Sequence, residues 1–252
     1  MPGDLRDKLC LVTGGSRGIG AAIAERLARE GGDVVITHPS GELEDRAAAV
    51  VLDRVRSHGR RGRAVVCDQG DAEAVGAMID GVIQADGRID VLVINAGIAV
   101  NGRVDDPAVS LADLRRQVDV NLFGVIATVR RAIDHVPDGG RIIAISSNGA
   151  THVPVPGLAD YCATKAGVVA LVRGWSRDLG SRGVTVNAVL PGPTATDLNP
   201  VGGEQYQVLL PRIPLGRYGR PEEVAAAVAF LAGPDAGFIT GSSLVVDGGS
   251  SA

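Results

Sequence analysis

Leu9-Cys10-Leu11-Val12-Thr13-Gly14-Gly15-Ser16-Arg17-Gly18-Ile19-Gly20-Ala21-Ala22-Ile23-Ala24-Glu25-Arg26-Leu27-Ala28 reads as strand, turn and helix in immediate succession. The run Leu9–Val12 is apolar and short, as a buried strand is. Ala21–Ala28 is rich in helix formers. Between them lie glycines spaced Gly-x-x-x-Gly-x-Gly at Gly14, Gly18 and Gly20. Glycines let the backbone turn tightly and approach a pyrophosphate, while the following helix N-terminus offers unpaired N–H groups. Gly14, Ser16, Arg17, Gly18, Ile19 and Gly20 are therefore candidate dinucleotide contacts. The plain alternative is an ordinary glycine-rich strand–helix turn.

The rest of the 252 residues continues the alternation. Short Val/Ile/Leu runs predict strands at Leu9–Val12, Val34–Thr37, Ala64–Cys67, Val91–Asn95, Arg141–Ser146, Thr185–Leu190 and Leu244–Asp247. Helices are predicted over Ala21–Glu30, Glu42–Ser57, Ala72–Ala85, Leu111–His135, Ala159–Arg182 and Pro221–Ala232. Most strands are apolar on both faces, as in a parallel sheet covered on both sides. The expected fold is α/β: one Rossmann-type, doubly wound, seven-stranded parallel sheet in a single domain over residues 1–252, with ligands at the carboxyl ends of its strands. Trp175 and Leu171 face either the core or an interface.

A net charge of −4 gives no support for nucleic-acid binding. Met1–Lys8 lacks a signal-peptide core, and no apolar run is long enough to cross a bilayer. Cys10, Cys67 and Cys162 are odd in number and lack metal-ligand spacing, so reduced thiols, no metal and a cytoplasmic setting are expected.

Tyr161-Cys162-Ala163-Thr164-Lys165 places a phenol and an amine on one helical face. A nearby ammonium lowers a phenol's pKa, which makes Tyr161 a proton donor or acceptor near neutrality. Each strand end adds a candidate. Asp68 can accept from an adenine amino group or cap a helix. Asn95-Ala96-Gly97 lets a ribose lie against the backbone. Asn121, mid-helix, either holds a water or faces solvent. Ser146-Ser147 offers a hydroxyl to a carbonyl oxygen. Pro191-Gly192-Pro193-Thr194-Ala195-Thr196 follows the sixth strand, where Thr196 can hold a carboxamide.

This ordered set, with Asn187 and the tail Val246-Asp247-Gly248-Gly249, resembles the short-chain dehydrogenase/reductase family over essentially the whole chain. It is similar to the 3-oxoacyl-carrier-protein-reductase-like members. The resemblance implies a nicotinamide cofactor, hydride transfer to or from a carbonyl or alcohol carbon, and a homotetramer. It assigns Tyr161 as general acid and base, Lys165 as the group that lowers its pKa and binds the nicotinamide ribose, Ser147 as the carbonyl polariser, and Asn121 as holder of a relay water. The cofactor contacts it implies are Gly14, Ser16, Arg17, Gly18, Ile19, Gly20, Thr37, His38, Asp68, Asn95, Ala96, Gly97, Tyr161, Lys165, Pro191, Gly192, Thr194 and Thr196.

Three departures qualify the resemblance. Ser147 and Tyr161 stand fourteen residues apart, one more than in many relatives, so Ser146 stays open as the polariser. Ile94 replaces a usual asparagine. The second strand ends Thr37-His38-Pro39-Ser40, without the acid typical of NAD-using members. With Arg17 as a guanidinium for a 2′-phosphate and Thr37, His38 and Ser40 as further donors, NADP(H) is expected over NAD. The expected activity is reversible NADPH-dependent reduction of a ketone to a secondary alcohol. The substrate is expected to be gripped by Thr194–Tyr218 and by the loop carrying His152, Val153, Val155 and Leu158. The alternative is an NADP-binding regulator with little turnover.

Overall fold

The computed structural model describes residues 5–252; Met1–Asp4 of the N-terminal segment read above lie outside the described residues. Its strands are β1 (Leu9–Val12), β2 (Asp33–His38), β3 (Gly62–Val66), β4 (Val91–Ile94), β5 (Arg141–Ile145), β6 (Thr185–Pro191) and β7 (Ser243–Val246). All are parallel, in one sheet of order β3-β2-β1-β4-β5-β6-β7. Leu11 is in register with Val35 on one side and Leu92 on the other. The strand order reverses between β1 and β4, and the crevice of a doubly wound sheet opens at that point.

The connecting helices are α1 (Gly18–Arg29), α2 (Glu42–Ser57), α3 (Ala72–Asp86), α4 (Leu111–Val118), α5 (Gly124–Ala132), α6 (Ala159–Leu179), α7 (Glu204–Leu209) and α8 (Pro221–Ala232). Two apolar layers result. On one face Ile23, Leu27, Ile36 and Ile143 pack with Val228 and Leu231; on the other Leu11, Ile79, Leu92 and Ile142 pack with Val129 and Val172. Each such fully buried side chain contributes roughly 1.5–3 kcal/mol. The edges differ from the sequence expectation of strands buried on both faces. β3 is half-exposed along its length and β7 nearly so, because each has only one neighbour. Trp175 packs against the second layer, which places it with the core.

Capping residues fix the helix ends. Asp71 accepts from the Glu73 and Ala74 N–H groups at the start of α3, and Gly87, in the left-handed region at φ 82°, ends it. Pro221, Glu222 and Glu223 open α8 at its positive end, with the Arg220 N–H donating to Glu223.

The stretch Leu111–His135, expected as one helix, runs on without a gap but changes pitch twice. Asp119–Phe123 is a π turn, in which the Gly124 N–H reaches back to the Asp119 carbonyl, and Ile133–His135 tightens to a 3₁₀ turn. Such π turns recur at functional sites. The expected Ala159–Arg182 helix likewise stops at Leu179 and finishes as a 3₁₀ turn. α7 was not expected; its six residues carry too short a pattern for periodicity to mark.

Candidate active site

The glycine turn leaves β1 and enters α1 under tight constraint. Gly14 and Gly18 lie at φ 63° and 55°, where a side chain is strained. A Cβ on Gly20 would stand 2.1 Å from the Gly14 carbonyl oxygen, and one on Gly15 2.6 Å from the Ile36 side chain. The turn is braced from two sides. The Gly14 N–H donates to the Thr37 hydroxyl (3.1 Å) and the Gly15 N–H to the Thr37 carbonyl (2.8 Å). The Asn95 amide donates to the Thr13 and Gly14 carbonyls, while the Thr13 hydroxyl accepts from the Asn95 and Ala96 N–H groups. Asn95 and Thr37 thus shape the cradle through its backbone.

Around α6 the structure gathers the remaining catalytic candidates. Lys165 is 5 % exposed, and its ammonium donates to the Ile145 carbonyl at 3.2 Å. Burial pulls its pKa down to about 8. Its Nζ lies 5.8 Å from the centre of the Tyr161 ring. Glycine at 97 keeps the space beside it open, since a Cβ there would meet Asn121 Oδ1 at 3.2 Å and Lys165 Nζ at 3.3 Å.

Tyr161 departs from expectation. Its phenol is not lowered in this form but raised to about 12. Burial dominates, a hydrogen bond with Ser147 opposes it, and the neighbouring Cys162 adds to the rise. The ammonium that was to lower it is directed at Ile145. The two serines separate clearly. Ser147 lies beside Tyr161 and accepts from the Gly149 N–H, whereas the Ser146 hydroxyl donates to the Lys165 carbonyl at 2.9 Å.

Asn121 is fully buried in the π turn and does not face solvent. Its Oδ1 accepts from the Ile98 N–H, and its Nδ2 donates to the Ile98 carbonyl and to Thr164 Oγ1. Its side chain therefore clamps the loop after β4. Gln117, one turn earlier, accepts from the Val100 N–H and extends the clamp.

At the opposite end, Asp68 is held by Arg116 (2.6 Å) and the Gly70 N–H, which keep its carboxyl below the usual range against partial burial; the helix cap is Asp71. Thr37 and His38, expected beside a 2′-phosphate, are 2 % and 4 % exposed, and His38 Nδ1 sits 2.9 Å from the Pro39 carbonyl oxygen. Thr37 is engaged with the glycine turn, since its position in β2 faces inward. Arg17 projects outward at the N-cap of α1.

Beyond β6, Gly192 packs on Asp247, and Thr194 donates to the Gly192 carbonyl. Thr196 approaches Gly18 from across the crevice: a Cβ on Gly18 would lie 3.4 Å from its methyl. A cavity of about 200 Å³ follows, lined by Leu198, Asn199, Pro200, Gly203, Gln205 and Tyr206.

The sequence reading missed Thr13, Gln117, Thr164 and Asn148. Thr164 carried a signal, lying one turn after Tyr161 on the same helix. Asn148 donates to Asp247 and Ser250, tying the serine turn to the tail. Among the described residues no His/Cys/Asp/Glu cluster fits a metal, and no helix is long and apolar enough to cross a membrane.

Residues 14–251 match the family model described as enoyl-(acyl carrier protein) reductase. A solved short chain dehydrogenase from Burkholderia cenocepacia, in complex with NADP, superimposes with a TM-score of 0.94 at 43 % identity, covering 99 % of this chain and 100 % of that one. The chain belongs to the short-chain dehydrogenase/reductase family. It is 39 % identical over 250 residues to the 3-oxoacyl-[acyl-carrier-protein] reductase of Staphylococcus aureus, covering 96 % of this chain and 97 % of the relative. It is 38 % identical over 246 residues to the cyclic-di-GMP-binding biofilm dispersal mediator protein of Escherichia coli, covering 98 % of each. The dehydrogenase/reductase fold and the Tyr161/Lys165 pair therefore coincide in one chain.

Proposed function

We propose that this protein reduces a ketone to a secondary alcohol, reversibly, with NADP(H) as cofactor. The observation that carries the reading is the corner itself: Ser147 beside Tyr161, with Lys165 buried near the Tyr161 ring and against Gly97. The residues fit a dinucleotide. The turn exposes backbone where Gly14, Gly18 and Gly97 leave room that a Cβ would fill, and Arg17 offers a cation where β2 ends without an acid. Gly14, Ser16, Gly18, Ile19 and Gly20 would hold the pyrophosphate, Asp68 and Asn95-Ala96-Gly97 the adenosine side, and Pro191, Gly192, Thr194 and Thr196 the nicotinamide side. When bound, the nicotinamide supplies or accepts the hydride.

Tyr161 gives its hydroxyl proton to the carbonyl oxygen as that oxygen gains charge, and takes it back in oxidation. Ser147 donates a hydrogen bond to the same oxygen. A phenol held near 12 stays protonated at neutral pH, which suits the reductive direction. Lys165 orients the cofactor ribose and, when charged, favours the phenolate. We assign a homotetramer, with exposed Phe230, Phe238 and Val245 as candidate contacts between copies.

The test is NADPH oxidation followed over a panel of ketones, 3-oxoacyl thioesters included. Turnover that Tyr161→Phe abolishes supports the reading; turnover it leaves unchanged rejects the mechanism. The similarity to the cyclic-di-GMP-binding mediator of Escherichia coli favours one second reading, a nucleotide-binding regulator. Cyclic-di-GMP binding together with tight NADPH binding and no turnover would select it.

A further inference from the structure

Arg17, the cation expected to meet a 2′-phosphate, already faces an anion. Its Nη1 lies 3.8 Å from Glu44 Oε1, a carboxylate from the first turn of α2. Arg17 is 58 % exposed and Glu44 22 %. Gly41 makes the approach feasible: at φ 144° it carries no Cβ, and one there would stand 2.7 Å from Glu44 Oε2. The next residue repeats the pattern, with Asp45 Oδ1 3.7 Å from His38 Nδ1. Arg17 and His38 thus both face carboxylates from one helical turn. That turn, with Glu42, Glu44 and Asp45, sits at the positive end of α2, where acids are stable.

We propose that Glu44 is a specificity-determining residue whose carboxylate holds Arg17 in place of the cofactor's 2′-phosphate. This rests on reading the glycine turn as a nicotinamide-nucleotide site. Carboxylate and phosphate compete for the same guanidinium fork. NADPH must displace Glu44 from Arg17, and its phosphate, at close to two negative charges, is then repelled by the displaced carboxylate. NADH meets neither obstacle. The acid missing from the end of β2 is therefore supplied from α2, and the margin of NADPH over NADH is narrowed. An exposed pair at this separation is weak enough to be displaced.

Fluorescence titration of NADPH and NADH into wild type, Glu44→Gln and Arg17→Ala decides it. Glu44→Gln is expected to tighten NADPH about three- to tenfold and leave NADH within twofold, a response in the range of screened surface charges. Arg17→Ala should erase that gain when the two changes are combined. Thermal unfolding of both variants checks that the fold is intact. Wild type that binds both nucleotides while Glu44→Gln leaves their ratio unchanged, or weakens NADPH, overturns the assignment of Glu44 and spares the cofactor reading. Wild type that binds neither nucleotide overturns the cofactor reading itself.

Discussion

The corner around Lys165 and the stretch after Thr196 lie on two sides of the glycine turn and are built on opposite terms. In the corner, Asn121, Ser146 and Lys165 are buried and each bonds a backbone carbonyl. Beyond Thr196, Leu198, Val201 and Val208 are more than half exposed, and Leu198 lines a cavity of about 200 Å³. A buried polar group without a partner is costly, so the first region tolerates very few arrangements. The second carries apolar side chains that water already surrounds, and little energy resists their exchange. In the function proposed above, proton transfer is assigned to the first region and substrate choice to the second.

Tyr161→Phe should break the corner's chemistry most. Removing a positioned acid costs on the order of a hundred- to ten-thousand-fold in kcat. Cofactor affinity, measured by titration, should stay within about twofold, because the ring remains. A comparable loss of cofactor binding would show the phenol to be a binding group.

The serine pair comes next. Ser147→Ala should lower kcat by roughly a hundred- to a thousandfold, as removal of an oxyanion donor does. Ser146→Ala should leave kcat nearly intact while lowering stability by about 1 kcal/mol, the worth of its bond to the Lys165 carbonyl. Reversed outcomes in steady-state kinetics and urea unfolding would exchange the two roles.

Lys165 offers a pH test. Its folded pKa of about 8 lies below the ordinary 10.5 because burial penalises the ammonium. At 1.36 kcal/mol per unit, that opposes folding by about 3 kcal/mol while the group is charged in both states. The penalty is full below pH 8 and fades as pH rises toward 10.5. Cofactor-free Lys165→Met should therefore be more stable than wild type at pH 7, lose that advantage toward pH 10.5, and be catalytically poor. A stability difference that does not change between pH 7 and 10 would contradict it.

The smallest effect belongs to the second region. Leu198→Ala, at a side chain 72 % exposed, should change stability by less than about 0.5 kcal/mol. Its signature should be a shift of KM between small and long-chain ketones at constant kcat for the best substrate. A large fall in Tm would place Leu198 in the core after all.

Much of this division was legible in the chain. Apolar runs located all seven strands within one or two residues, because a buried parallel strand leaves little choice of residue. The Gly14–Gly20 turn and the Tyr161/Lys165 pair were visible because their chemistry is tied to fixed local spacing. Where each side chain's bonds go was not visible. Thr37, read as a cofactor contact, also braces Gly14, and Asp68, read as an acceptor for an adenine amino group, is held by Arg116, 48 residues away. Ser146 and Ser147 are neighbours in sequence that point to opposite sides of a strand end, which no spacing rule distinguishes. The phenol shows a related limit: pairwise spacing shows the ammonium but not the burial that raises the phenol in the cofactor-free protein.

The π turn has a consequence for the length of the chain. Gln117, Asn121, Val125 and Val129 all point inward at intervals of four. An α-helix completes a turn in 3.6 residues, so a four-residue interval drifts by about 40° each time, or about 120° across this span. The wide turn at Asp119–Phe123 works as a vernier that absorbs part of that drift. It lets one continuous rod keep an amide pair on the loop after β4 and an apolar pair on the sheet. Deleting a single residue there would swing Val125 and Val129 by about 100° relative to Gln117, the angle of one α-helical step. The number of residues in this stretch is therefore constrained as tightly as their identity.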